Sequence, residues 1–264
     1  MYLPKMEAVS DFLFFIRPRR FGKSLFLSMV ADYYDCENYK DIDEEFQGTW
    51  IAEHPLETKG KFQVLSLDFS QVVGCADNLQ DAFHVYLGIK IDAFLRKYGK
   101  YYSQKAIEAA HNAPTAGGKI AAFVGEAKEK GYQLYLIIDE YDNFTNVVLN
   151  EQGHDVYHEM THGSGFYRDV FKTFKPNFTR ILFMGVSPIT LDDLTSGFNI
   201  ATNISVHYWF NNLLGFSETD VREMIRYYQE VGRITKPEDE IIAEMKPWYD
   251  NYRFSEECYG VEPC

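Results

Sequence analysis

The sequence predicts an α/β fold in which helices cover a mostly parallel sheet. Short apolar runs typical of buried strands recur through about residue 214, and helical stretches separate them. The chain has 264 residues, 46% of them apolar and 25% charged, which is the composition of a globular protein with one large or two small domains. We therefore expect a layered core over residues 1–214 and a small helical unit over 215–264.

Each predicted element follows from the local pattern of apolar residues. Strands are predicted where apolar residues run together, at 12–16, 62–69, 134–139, 180–185 and 204–214. Helices are predicted where apolar residues keep a period of about 3.6, at 24–34, 79–98, 103–111, 118–130 and 166–175. Residues 35–60 are predicted as loop and short helix. Residues 150–165 are rich in glycine, histidine and polar groups and are predicted as a mobile loop.

The pattern changes at residue 217, where the helical tail begins. Ser217 is followed three residues later by Asp220, which resembles a helix start, and helices are predicted at 218–231 and 238–249. An aromatic cluster lies near the end of this tail, and we expect it to form the core of the tail in preference to a base-stacking platform. Its members are Trp248, Tyr249, Tyr252 and Phe254.

Charge and cysteine content narrow the function classes. The chain has 26 basic and 39 acidic side chains, a net charge of −13, which disfavours an even coating of nucleic-acid phosphate because that binding depends on many lysines and arginines; a local basic patch is the alternative. The four cysteines lack C-x-x-C spacing, so free thiols in a reducing compartment are expected. No apolar run approaches the ~20 residues that span a bilayer, and no signal-peptide core is present. These features predict a cytoplasmic protein without membrane contact.

The segment Arg-Pro-Arg-Arg-Phe-Gly-Lys-Ser at 17–24 lies between a predicted strand and a predicted helix. The first backbone N–H groups of a helix and its dipole attract an anion. Gly22 lets the backbone approach a phosphate, the Lys23 ammonium reaches the β- and γ-phosphates, and the Ser24 hydroxyl suits Mg²⁺. Position 17 holds arginine where the G-x-x-x-x-G-K-[ST] motif has glycine, so an ordinary basic turn is the alternative for this segment alone.

A second motif, Leu136-Ile-Ile-Asp139-Glu140, is an apolar strand that ends in two acids. P-loop ATPases place such a strand beside the phosphate loop, where the aspartate supports Mg²⁺ and the glutamate polarises the attacking water. The carboxyl ends of parallel strands are also where α/β sheets bind ligands. The two motifs occur in the expected order, 116 positions apart (139 − 23). Together they predict a three-layer P-loop NTPase fold with a small C-terminal helical lid; solvated acids at a strand end are the alternative.

Four segments of the chain resemble the bacterial AAA-ATPase-like proteins, which look related to archaeal-type P-loop ATPases with a similar Pro-Arg-Arg-x-Gly-Lys loop. The segments are 17–24, 138–142, 184–199 (Met-Gly-Val-Ser-Pro-Ile-Thr-Leu-Asp-Asp-Leu-Thr-Ser-Gly-Phe-Asn) and 248–254 (Trp-Tyr-Asp-Asn-Tyr-Arg-Phe). The resemblance spans about residues 10–260 and implies that the missing first glycine is a family feature.

The resemblance also bears on domain content. Members of that family often carry a C-terminal domain similar to PD-(D/E)xK nucleases. This sequence stops just after Tyr-Arg-Phe, and its N-terminal segment looks shortened, so we expect that domain to be absent and the chain to be a fragment or a divergent short member. A DNA-linked role is implied only through that partner domain.

The site predicted from these motifs takes ATP and Mg²⁺. Ser24 is expected to bind Mg²⁺ directly and Asp139 to support it through water. Glu140 is the predicted general base, and Lys23 is the second catalytic residue. We also expect a set of residues to contact the nucleotide. They are Arg17, Pro18, Arg19, Arg20, Phe21, Gly22, Lys23, Ser24, Leu25 and Ser187.

Several of these side chains have alternative roles. Ser187 either senses the γ-phosphate or supplies an ordinary Ser-Pro turn hydroxyl. Arg19 and Arg20 either contact phosphate or form surface salt bridges. Arg180 and Arg253 are candidates for an arginine that stabilises charge on the phosphates. For each of them a surface ion pair is the alternative.

Other polar groups are weaker candidates. Asp142 is a candidate partner for Arg180 or Arg253, and turn solvation explains the pair Asp192-Asp193 better than metal binding. Three histidines, with Glu159 nearby, have the spacing of one helix face and could bind zinc, although neighbouring glycines disfavour that helix. They are His154, His158 and His162.

The function expected from these residues is an ATPase module that switches a helical lid or an attached effector. The alternative is a nucleotide-binding switch or scaffold without significant turnover. A P-loop kinase is a third class, and the glutamate directly after Asp139 disfavours it because a base poised for water suits hydrolysis.

Overall fold

A single parallel sheet forms the centre of the structure. The computed structural model describes residues 1–38, 42–72, 78–161, 166–187, 201–249 and 254. In these residues five strands pair in the order β2-β3-β4-β1-β5, all parallel. They are β1 (Phe12–Ile16), β2 (Phe62–Asp68), β3 (Gln133–Asp139), β4 (Arg180–Gly185) and β5 (Thr202–Asn203). The predicted α/β class and parallel sheet are confirmed.

Helices fill most of the connections between the strands. On the N-terminal side they are α1 (Tyr2–Val9), α2 (Lys23–Tyr34), α3 (Ile42–Glu45) and α4 (Trp50–Glu53). The middle of the chain forms α5 (Leu79–Tyr98), α6 (Gln104–Asn112), α7 (Ala116–Glu129), α8 (Asn143–Gln152), α9 (His154–Thr161) and α10 (Phe166–Phe174). The tail forms α11 (Glu218–Glu230) and α12 (Glu238–Tyr249). None of the helices in these ranges is both long and apolar enough to cross a membrane.

The sheet separates two hydrophobic clusters because successive side chains of a strand lie on opposite faces. Along β1, Leu13 and Phe15 join the cluster formed with α1–α4, whereas Phe14 joins the cluster formed with α5–α10. The same alternation in the buried strands explains why their sequences are continuously apolar. The structure is therefore a sheet with helices packed on both faces.

Strand register brings the two predicted motifs to one edge of the sheet. Strand β4 lies between β1 and β3, and Ile16 of β1 is paired with Gly185 of β4. On the other side, Ile138 of β3 is paired with Phe183. Since all strands are parallel, their carboxyl ends, and the loops that follow them, lie at the same edge.

The predicted strand over 204–214 is wrong. Strand β5 consists only of Thr202–Asn203, which pair with Leu13 and Phe14 of β1, and a 3₁₀ turn follows at Tyr208–Phe210. The apolar residues of this segment, Ile204 and Phe210 among them, are buried against the α1–α4 face rather than paired in the sheet. An apolar run signals burial, and here burial is reached without a strand.

Two other helical regions differ from the predictions. Helices α8 and α9 cover 143–152 and 154–161, so the predicted mobile loop is wrong there; residues 162–165 lie outside the described residues. Gly153, with φ of 85°, separates the two helices. Helix α1 was not predicted, and its Leu3 and Met6 are buried in the core.

The tail helices form as predicted. The Ser217 hydroxyl accepts a hydrogen bond from the Asp220 N–H at 3.2 Å, and the Asp220 carboxylate accepts one from the Ser217 N–H at 2.7 Å. Arg222 of α11 pairs with Glu238 of α12 at 2.7 Å. Trp248 is 80% exposed and Tyr249 68%, so the prediction that they form a core of the tail is wrong; Tyr252 lies outside the described residues. The domain boundary after residue 214 stays a prediction.

Candidate active site

The loop after β1 turns sharply into helix α2. Gly22 has a left-handed backbone with φ of 87° and is the N-cap of α2, whose first hydrogen bond runs from the Phe26 N–H to the Gly22 carbonyl at 3.0 Å. Arg20 also has a positive φ, 69°. Because Gly22 has no side chain, the first N–H groups of α2 receive no side-chain cap, and such groups are suited to bind an anion.

The Lys23 ammonium connects the loop to the end of β3. The residue is buried, and its Nζ donates to the Pro18 carbonyl oxygen at 3.2 Å. The same Nζ lies 3.5 Å from Oε1 of Glu140. The Lys23 side chain thus contacts both the loop before α2 and the turn after β3, through one carbonyl oxygen and one carboxylate.

Ser24 and Asp139 are in direct contact. The Ser24 hydroxyl donates to Oδ2 of Asp139, and Oδ1 of Asp139 accepts the Glu140 N–H at 2.9 Å. Burial raises the pKa of Asp139, and these two hydrogen bonds oppose that shift. A hydroxyl beside a buried carboxylate is an all-oxygen donor set, which fits the ligand preference of Mg²⁺.

Glu140 has an unusual backbone for a residue with a side chain. Its φ is 49°, and Arg20 is the other non-glycine residue with positive φ in the described part of the chain. The pKa of Glu140 is raised, first by burial and then by the charges of Asp139 and Asp142, while Lys23 opposes the shift. Strained backbones concentrate at functional sites. Arg20 lies three residues before Lys23, and the Glu140 carboxylate contacts the Lys23 ammonium.

Asp142 fastens the β3 turn to the end of β4. Its buried carboxylate accepts the backbone N–H of Val186 at 3.1 Å and that of Ser187 at 2.6 Å. The Tyr141 hydroxyl donates to the Ser187 carbonyl oxygen. The predicted pairing of Asp142 with Arg180 is wrong, because Arg180 pairs with Glu7 and Asp11; pairing with Arg253 stays a prediction, since Arg253 lies outside the described residues. The Asp142 carboxylate instead holds the backbone of Ser187 in place.

Gly185 was not identified from the sequence as a site residue. A Cβ atom at this position would lie 2.6 Å from Cδ1 of Tyr141 and would also overlap the Asp142 carboxylate. Glycine is thus required where β4 ends and the turn after β3 crosses it. The available signal was the glycine of Met-Gly-Val-Ser, placed directly after an apolar strand.

Arg17 is buried, with 1% of its surface exposed. Its guanidinium donates to the carbonyl oxygens of Ser205 and Phe210, both at 2.8 Å. Burial lowers the pKa of Arg17 to about 10. These bonds direct the side chain toward the segment after β5, and phosphate contact by Arg17 stays a prediction.

The remaining loop residues have varied exposure. Pro18 and Phe21 are half-buried. Those exposed to solvent are Arg19, Arg20, Gly22, Ser24 and Leu25. The structure thus brings Lys23 to Glu140 and Ser24 to Asp139. Ser187 contacts the turn after β3 through Tyr141 and Asp142, and its contact with nucleotide stays a prediction.

Arg180 is not part of this site. It begins β4, at the opposite edge of the sheet, where it pairs with Glu7 and lies 3.4 Å from Asp11. The ion-pair alternative is therefore correct for Arg180, although the pair with Glu7 is half-buried and not on the surface. Arg253 and the pair Asp192-Asp193 lie outside the described residues.

The zinc hypothesis receives no support from the described ranges. His154 and His158 are exposed on α9, and His162 lies outside the described residues. In the part of the chain that the structure covers, no group of three or more histidine, cysteine or acidic side chains could hold a metal ion.

Comparisons with known proteins identify one family for this chain. A family described as "Predicted AAA-ATPase" matches residues 1–195. An "Uncharacterized protein in vnfD 5'region" of Azotobacter chroococcum mcd 1 is 25% identical over 251 residues, which cover 92% of this chain and 42% of that protein. The chain thus spans less than half the length of this relative. No solved structure matches the chain significantly.

Proposed function

We propose, from the premise that this chain belongs to the AAA-ATPase-like family of predicted ATPases, that it binds ATP at the 17–24 loop and hydrolyses it. Family membership by itself suggests nucleotide binding or ATPase activity. The observation that supports the proposal is the meeting of Lys23 with Glu140, beside the contact of Ser24 with Asp139.

In this proposal the loop binds the phosphates of ATP. The N–H groups at the start of α2 and the Lys23 ammonium supply the positive charge. Ser24 and Asp139 would hold Mg²⁺, which when bound neutralises charge on the phosphates. Behind these groups, Asp142 fastens the turn after β3 to the residues that follow β4, and Gly185, the last residue of β4, leaves room for Tyr141 and Asp142.

Hydrolysis then requires a base for water, and we assign this role to Glu140. As a new bond forms between the water oxygen and the γ-phosphorus, the bond from that phosphorus to the bridging oxygen breaks. The water proton passes to the Glu140 carboxylate, and ADP and inorganic phosphate are the products. The raised pKa of Glu140 makes it a stronger base than an exposed glutamate.

A binding switch without significant turnover is the second candidate function. It follows if the Glu140 carboxylate stays paired with Lys23 after nucleotide has bound, because the paired carboxylate then does not serve as the base. In either case we propose that nucleotide state is transmitted to the tail helices, which act as a lid, or to an attached effector. A nuclease-like domain in longer relatives is a candidate for that effector.

Calorimetric titration of the purified chain with Mg-ATP and Mg-GTP tests the binding step. Wild type is expected to bind ATP, and Lys23→Ala is expected to weaken binding about 10- to 100-fold, the value of a charge-assisted contact. Lys61→Ala, which removes an exposed lysine, is the matched control and should bind as wild type does. Equal affinity of Lys23→Ala and wild type would overturn the proposal.

A further inference from the structure

Arg17 is a buried cation that no described carboxylate neutralises. Its guanidinium is compensated by carbonyl oxygens of residues 16, 205 and 210, and its Nε has no hydrogen-bond partner among the described residues. The planar group is also sandwiched between two rings: its Cζ lies 4.1 Å from the ring centroid of Phe15 and 4.0 Å from that of Phe254. Cation–π contacts are stronger when the cation is out of water, as it is here.

Phe254 is far from Arg17 in sequence and contacts a second residue of the loop. Its ring packs edge-to-face on Phe21, with centroids 5.7 Å apart and an interplanar angle of 89°. Phe21 directly precedes Gly22, the N-cap of α2. One ring from beyond α12 therefore touches both the first residue of the loop and the residue before its glycine.

Gly215 supports Phe21 from the start of the tail. Its φ is 97°, and a Cβ atom there would lie 3.0 Å from Cδ1 of Phe21. The phenyl ring of Phe21 thus packs against backbone that leads into α11 and against Phe254, which follows α12. Residues from both ends of the tail therefore contact Phe21 of the loop.

We propose that Phe254 is a positioning residue of the nucleotide site, which holds the 17–24 loop in its binding conformation through Arg17 and Phe21. This inference rests on the proposed function. Since coupling between two binding events is reciprocal, nucleotide binding strengthens the docking of Phe254 as much as docking strengthens nucleotide binding. Phe254 is thereby part of the nucleotide site through its packing on Arg17 and Phe21.

The test is a set of substitutions in the full chain, with affinity for Mg-ATP measured by calorimetry. Phe254→Ala is expected to weaken binding about tenfold, within the range typical of coupled sites. Phe254→Tyr keeps the ring face and is expected to bind as wild type does, whereas Phe254→Leu keeps apolar volume without a π-face and should be intermediate. Trp248→Ala, which removes an exposed aromatic of the same tail, is the matched control.

A second measurement reports on the loop without nucleotide. Amide hydrogen exchange over residues 17–24 is expected to be faster in Phe254→Ala and unchanged in Trp248→Ala. The double variant Arg17→Met, Phe254→Ala should lose less free energy of Mg-ATP binding than the two single variants lose together, because both substitutions remove the same contact. Additive effects, or wild-type affinity and exchange in Phe254→Ala, would overturn the inference.

The two hypotheses fail in different ways. If wild type binds no nucleotide, the proposed function is wrong and the inference falls with it. If wild type binds Mg-ATP, Lys23→Ala does not, and Phe254→Ala binds as wild type does, the proposed function stands and only the positioning role is overturned.

Discussion

The Lys23 ammonium lies 3.5 Å from Oε1 of Glu140 and joins the helix after β1 to the turn after β3. The contact lowers the pKa of Glu140 against the effect of burial and of two neighbouring aspartates. An incoming γ-phosphate would compete with Glu140 for the same ammonium. Binding of ATP in the proposed mode therefore releases the carboxylate at the moment when a base is needed.

Glu140→Gln should separate binding from turnover. The amide keeps the size of the side chain and loses the ability to accept a proton as a base. We expect phosphate release to fall by about 10²- to 10⁴-fold while the affinity for Mg-ATP remains close to wild type. A matched control is Glu129→Gln at the exposed end of α7. Release at the wild-type rate in Glu140→Gln would exclude Glu140 as the base; no release from wild type itself would favour the switch without turnover.

The pH dependence of turnover should reflect the raised pKa of Glu140. A base acts in its ionised form, so activity is lost as pH falls through that pKa, and the acid limb lies at higher pH than for an exposed glutamate. Asp142→Asn removes one of the charges that raise the pKa of Glu140 and should move the acid limb to lower pH. Phosphate release followed across the acidic range checks this, and an unmoved limb would contradict it.

Asp139→Asn should stabilise the folded protein and weaken its binding of Mg-ATP. A carboxyl whose pKa is raised by folding contributes stability when protonated and loses that contribution as pH rises through the folded-state pKa. At neutral pH the buried, ionised Asp139 is therefore unfavourable, and the neutral amide should raise the free energy of unfolding by about 1 kcal/mol, or ~3 °C in melting temperature.

The gain in Asp139→Asn should shrink toward acidic pH, and the affinity for Mg-ATP should fall because an oxygen ligand has lost its charge. Thermal unfolding without nucleotide and calorimetry with it measure the two effects. Asp81→Asn, at an exposed position of α5, is the control and should stay within about 0.5 kcal/mol of wild type. Destabilisation of Asp139→Asn at neutral pH would show that its hydrogen bonds outweigh the burial of its charge.

Gly185→Ala should lower both the stability of the protein and its affinity for nucleotide. The added methyl would overlap Tyr141 and Asp142, so one of the two must move, at a loss of about 1–3 kcal/mol in stability. Movement of Asp142 would also release Ser187, and nucleotide affinity should fall. Gly125→Ala provides the contrast, because open space surrounds that position on α7 and alanine favours a helix by roughly 0.5–1 kcal/mol. Melting temperatures that do not separate the two variants would contradict this account.

Most of the sheet could be predicted from the sequence because each central strand is buried on both faces. Continuous apolar runs mark β1, β3 and β4 within a residue of their observed bounds. The prediction of a strand over 204–214 was wrong for the same reason. An apolar run indicates that a segment is buried, but it does not indicate whether the segment is paired in the sheet. The N-terminal helix α1 and helices α8 and α9 carry polar residues or glycine and were not distinguished from loops.

Within the candidate site, sequence spacing identified Lys23, Ser24, Asp139 and Glu140, because the chemistry of phosphate binding restricts which residue types follow a strand. Tertiary structure alone decided the partners of Asp142, whose backbone contacts come from 44 and 45 positions away. It also decided the burial of Arg17 and the need for Gly185. A local pattern determines what a residue can do, whereas the packing of distant segments determines which neighbour it meets, since that depends on how the strands are ordered in the sheet.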